Sequence, residues 1–189
     1  MTLPQPALEL SARRAFGSLV LEEPMTTRDL EQLTALFGAL GARDPEQWAA
    51  SQLREGIPQL HRYLFLRQAW KSIVPVEDSA WMAGFIEAAR RDPNAPYAGV
   101  GLALHRMKES GVADRDITEL VRGMQAELLF QFCYLLADPG VDEDAAQDVA
   151  WGLFSVDEDG APKEAIGGLH ESVLEMDPMG REMRPMPRG

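Results

Sequence analysis

The most informative polar residues in this chain are two that interrupt its most apolar helical pattern. Glu127 and Gln131 stand one helical turn apart within residues 115–137. Around them Ile117, Leu120, Val121, Met124, Leu128, Phe132 and Leu135 recur with the period of a helix face. Leu129, Phe130, Cys133, Tyr134 and Leu136 fill the other sides of its second half, and a helix apolar all round is expected to be buried all round. A carboxylate in that setting has to be paired or protonated, because an unpaired buried charge is strongly destabilising. An earlier helical segment supplies Arg62 and Arg67 in an equally apolar context. Glu127, Gln131, Arg62 and Arg67 are therefore expected to form a buried polar group. Its simplest role is an ion pair that sets the register of two core helices. The alternative makes Glu127 a general base or metal ligand in a pocket between helices.

No other residue set makes a stronger chemical case. His61, His105 and His170 form no H-x-x-x-H, H-E-x-x-H or E-x-x-H spacing with a second ligand, so each reads as a packed or surface histidine. Cys133 is the single cysteine, which excludes an intrachain disulfide and fits a reducing compartment. Its apolar neighbours are expected to raise the thiol pKa and suppress the thiolate. The run Val156-Asp157-Glu158-Asp159-Gly160 resembles a calcium loop only locally. With Gly160 in the sixth place, the twelfth falls on Ile166, where a bidentate Glu is required. Gly99-Val100-Gly101 and Gly167-Gly168 lack the Lys-Ser/Thr of a phosphate loop, and no Gly-x-Ser-x-Gly elbow is present. No catalytic residue, metal or cofactor is assigned, and the chain leans away from enzyme.

Charge points elsewhere. The net charge is −12 and unevenly spread: residues 141–175 hold ten acidic side chains against one basic, Lys163. Such a field repels phosphate and disfavours nucleic acid. The same stretch carries Trp151 and Phe154 beside Asp157, Glu158 and Asp159. Aromatics among carboxylates could form a binding surface for a basic protein partner, steered by charge; a merely solvated acidic face is the plainer alternative. No apolar run approaches the roughly 18 residues that span a bilayer, and the N-terminus has no signal-peptide pattern. A cytoplasmic location without membrane association is the expectation.

The elements that must position these residues are mostly helices. Residues 28–37 follow Thr26-Thr27 and precede Gly38 and Gly41, which reads as a Thr N-cap and a Gly C-cap. Asp44-Pro45-Glu46 opens a second helix. Further helices are expected over residues 58–72, from Ser79 to Asp92-Pro93, over 96–109, and over 115–137. Gly99 and Gly101 lie inside one of them, each costing up to about 1 kcal/mol relative to Ala, and a closely packed neighbouring backbone would explain them. The longest helix is expected at the centre of the fold. A short helix over 145–150, a strand within 151–156, a turn at Asp159-Gly160 and a last helix over 168–176 complete the pattern. Residues 8–21 lean helical. Together these give a compact bundle of about six or seven helices with a small β-hairpin near the C-terminus. The expected organisation is one domain over 1–175, with an acidic hairpin-containing subregion at 141–175 and a Met/Pro/Arg-rich tail at 176–189 that is disordered or draped over the domain.

Three functions fit. The first is a non-catalytic protein-binding or regulatory module of inhibitor or immunity type. The second is an enzyme or ligand-binding protein with a pocket around Glu127. The third is a structural subunit of an assembly. The oligomeric state is left open.

Overall fold

The computed structural model describes residues 27–138, 146 and 148–185. The expected helix at residues 8–21, residues 145 and 147 of that expected at 145–150, and the tip of the tail lie outside the described residues; residues 148–150 are described and are not helical. The chain is mainly helical, with a two-stranded antiparallel hairpin near the C-terminus. It divides into two compact units, Met1–Glu55 and Gly56–Gly189.

In the first unit, α1 (Thr27–Ala39) and α2 (Pro45–Glu55) form a helical pair. Gly41, at φ +85°, ends α1 in a left-handed cap, and the Ala42 amide reaches back to the Phe37 carbonyl at 3.0 Å. Phe37 stacks on Trp48 with ring centroids 5.9 Å apart, and both are buried.

The second unit holds α3 (Gln59–Trp70), α4 (Ala80–Arg91), α5 (Ala98–Glu109), α6 (Asp114–Ala137), β1 (Phe154–Val156), β2 (Pro162–Ala165) and the single-turn α7 (Leu169–Ser172). Ser79 precedes α4 without a side-chain cap; the Asp78 carboxylate accepts the Ala80 amide instead, at 2.7 Å. Of the two unusual glycines, Gly101 has the packing reason anticipated for it. A Cβ there would lie 2.1 Å from the Phe85 carbonyl oxygen and 2.7 Å from Ala89 Cβ, so α4 and α5 touch backbone to backbone. Gly99 faces open space, and no contact explains it.

Among the described residues, two apolar clusters organise this unit. Met82, Leu104 and Ile117 join α4, α5 and the start of α6. Leu66, Trp70, Ile73, Ala126, Cys133, Ile166, Leu169 and Val173 join α3, the rest of α6 and the C-terminal segment, with Met176 and Met183 packed against them. The described tail residues are therefore docked on the core. In the hairpin Phe154 pairs with Ala165 and Val156 with Pro162, with an irregular register between them. The turn is closed by Asp157, whose carboxylate accepts the amides of Asp159 and Ala161 at 3.0 and 2.9 Å, and Gly160 takes φ +81°.

One expectation is corrected here. The longest helix, α6, is not enclosed: one side buries Thr118, Arg122, Ala126 and Cys133, and Ile117 near its start packs against Met82 and Leu104, but Leu120, Met124, Leu128, Phe132 and Leu135 stay exposed. Periodicity shows which sides of a helix are apolar, whereas neighbours decide which of those sides are covered.

Candidate interaction surface

The ion pairs inside this unit are not the ones the local pattern suggested. Glu127 and Gln131 are exposed and bonded to each other, Gln131 Nε2 donating to Glu127 Oε1 at 2.9 Å. Arg67 is exposed as well. Arg62 is buried, as expected, but it engages the C-terminal segment. Its Nη2 donates to the Gly168 carbonyl, to Glu171 Oε2 at 3.2 Å and to Ser172 Oγ at 3.3 Å. The four residues thus do not form one buried group. Glu127 avoids desolvation by pointing to solvent, and the buried arginine finds its acceptors more than 100 residues along the chain.

A second buried arginine is paired with a buried carboxylate. Arg122 Nη2 lies 2.7 Å from Asp177 Oδ1, and neither side chain is more than 4% exposed. Arg122 Nη1 also donates to the Val74 carbonyl at 2.8 Å, and its guanidinium sits 5.2 Å from the Trp70 ring centroid. Asp177 accepts two backbone amides besides, Met179 at 3.1 Å and Met183 at 3.2 Å. Burial alone would raise the Asp177 pKa, but those amides and Arg122 outweigh it and hold the carboxyl below the usual aspartate value. Trp70 Nε1 adds a bond to the Val173 carbonyl at 2.9 Å. Asp177 was missed in the sequence because it stands in a Met/Pro/Arg-rich stretch with no period.

This network fastens the inner side of α6, while the stripe that starts at Leu120 stays exposed. Leu120, Met124, Leu128, Phe132 and Leu135 are between 44% and 66% exposed. At about 100° per residue they fall in one sector of the wheel, which also holds exposed Gln131 and, near the start of the helix, buried Ile117, and which is bordered along one edge by Asp116, Glu127 and Tyr134. Five half-exposed side chains present on the order of 500 Å² of apolar surface, against roughly 300–600 Å² for the largest patch of an ordinary monomer. No basic residue lies in the sector: Arg122 is buried against Asp177, and Arg115 falls on the far side of the wheel.

At the C-terminal end of α6, the Trp151 indole N–H donates to the Leu135 carbonyl at 3.0 Å. The bond seats Trp151 on the last turn of the helix, still 45% exposed. Phe154, 46% exposed, lies over Gly152 and shares the outward side of β1 with Val156, while Ser155 between them is buried. Glu158 and Asp159 are exposed at the hairpin tip, and the Asp157 carboxylate is engaged in closing the turn.

Among the described residues, groups suited to catalysis are sparse. Burial pushes the Cys133 thiol up to about 11, which leaves a negligible thiolate fraction at neutral pH. His170 is set edge-on between Phe130 and Tyr134, His61 is exposed, and His105 pairs with Glu109 at 3.4 Å. An open cleft of about 690 Å³ between α4 and α5 includes His105, Glu87, Arg90 and Lys108 in its lining, and Glu127 is not part of it. Among the described residues, no three His, Cys, Asp or Glu side chains are placed to hold a metal ion, and no helix is long and apolar enough to cross a membrane. No family model, curated protein or solved structure matches the chain.

Proposed function

We propose that this chain is a non-catalytic protein-binding or regulatory module of the cytoplasm. It engages a basic partner through the outer face of α6 and the adjoining Trp151–Phe154 edge. The observation that carries this reading is the exposed stripe Leu120–Met124–Leu128–Phe132–Leu135 on a helix whose inner face is already committed to the core. A patch of this size matches the largest on an ordinary monomer, and such patches often serve in binding. The basic character of the partner follows from the acidic flank of the stripe and from the ten-to-one acidic excess in residues 141–175. The single cysteine, buried and protonated, fits a reducing compartment. A fixed subunit of an assembly is the second reading, favoured by the extent of the same stripe.

Affinity purification at low and high salt, with wild type and a Met124→Asp/Phe132→Asp variant of verified folding, tests the module reading. A basic partner held at low salt, released at high salt and absent from the variant is the expected result. A partner retained equally by the variant, or none at either salt, contradicts it. A partner that depends on the stripe but survives high salt selects the fixed-subunit reading instead.

A further inference from the structure

We infer that the occupant of the α6 face is an amphipathic helix with basic flanks, laid along α6. This rests on the reading of that face as a docking surface and specifies what docks there. The backbone of α6 is spent on its own helical hydrogen bonds, so the face offers no free amides or carbonyls for an added β-strand. Recognition has to run through side chains.

The spacing of those side chains suits another helix. Leu120, Met124, Leu128 and Phe132 follow one another at four-residue intervals, the row that forms a ridge on a helix surface and packs into the groove of a second helix. From Leu120 to Leu135 the row covers about 22 Å at the helical rise per residue, the length of about four turns of a partner. Trp151 stands at the end of the row, fixed through its bond to the Leu135 carbonyl, and limits the partner's path there.

Charge selects the flanks. The face displays Asp116 and Glu127 and no cation, and Glu127 is held beside the stripe by Gln131. Lys or Arg next to the apolar seam of the incoming helix would meet these carboxylates. A second copy of this chain would instead bring another cation-free acidic face, with a net charge of −12 on each side. That argues against self-pairing at low salt.

Three synthetic 18-residue peptides test this against the full chain by calorimetry in 50 mM NaCl, with sedimentation run alongside. One has Leu at helical spacing and Lys elsewhere, one carries Glu in place of Lys, and one keeps the Leu/Lys composition in strict alternation. The helical Leu/Lys peptide is expected to bind at least tenfold more tightly than either control, to weaken at least tenfold at 500 mM NaCl, and to lose at least tenfold on Leu128→Lys. Equal affinity for the alternating peptide, or indifference to Leu128→Lys, overturns the inference. So does a stripe-dependent dimer that excludes the peptide. If the helical peptide fails while a cellular partner is still captured in a stripe-dependent way, the helix inference falls and the docking face stands. Loss of both removes the docking face as well.

Discussion

Replacing Asp177 by Asn probes the bond that fastens the C-terminal segment to the core. The carboxylate is fully buried and accepts three donors: Arg122 at 2.7 Å and the amides of Met179 and Met183 at 3.1 and 3.2 Å. Asn keeps one oxygen acceptor but turns an N–H₂ group toward at least one of these donors, and it leaves the Arg122 guanidinium buried without its counter-charge. Breaking a buried pair from one side costs about 3–5 kcal/mol, so urea unfolding at pH 7 should show a loss of that size. Removing both charges as Arg122→Met/Asp177→Leu does not restore wild-type stability, because the Val74 carbonyl and the Met179 and Met183 amides lose their partners. The penalty also has a pH signature. The folded pKa of Asp177 lies below its ordinary 3.8, so the stabilisation is fully present above pH 3.8 and fades as pH falls through the folded value. The gap between wild type and Asp177→Asn should narrow in that acid range. A loss under about 1 kcal/mol at pH 7, where surface substitutions fall, would refute this account of the segment.

Three further outcomes follow from the geometry. Gly101→Ala forces α4 and α5 apart at the Phe85 carbonyl and should destabilise by about 1–3 kcal/mol. Gly99→Ala, facing open space, should instead stabilise by up to about 1 kcal/mol, and thermal melts of the two variants separate them by sign. Glu171→Gln should cost less than about 1 kcal/mol, since its carboxylate is 66% exposed. Arg62→Met should cost more, because it strips the Gly168 carbonyl and Ser172 of their buried donor. Finally, Cys133 should resist iodoacetamide at pH 8 in the folded protein and react once urea opens the core, as read by intact mass.

The parts of this fold that were legible in the sequence are those set by local chemistry. The Asp159-Gly160 turn, the proline opening α2, the Gly41 cap and the close approach at Gly101 each answer to a residue whose backbone or size permits little else. The buried polar network was not legible. Arg62 was recognisable as a core cation, but its acceptors lie on α7 and the loop before it, and Asp177 carries no periodic signal. Local pattern therefore joined Arg62 to the nearest apolar-flanked carboxylate, Glu127, which in the fold lies on the solvent side of α6. The open stripe escaped for a related reason: its residues are indistinguishable by type from those of the core. Trp151 and Phe154 were singled out for their acidic surroundings, and both are exposed. The bond that ties Trp151 to the end of α6 joins them to a surface larger than the hairpin.

Photo-cross-linking inside the cell tests the docking face most directly. A benzophenone amino acid replaces Phe132 on the open stripe or, as a control, Arg91 at the exposed end of α4. The account predicts a discrete adduct with a basic protein from position 132, weakened by Met124→Asp, and none from position 91. Illumination that yields no adduct at 132, or the same adducts from both positions, would contradict it.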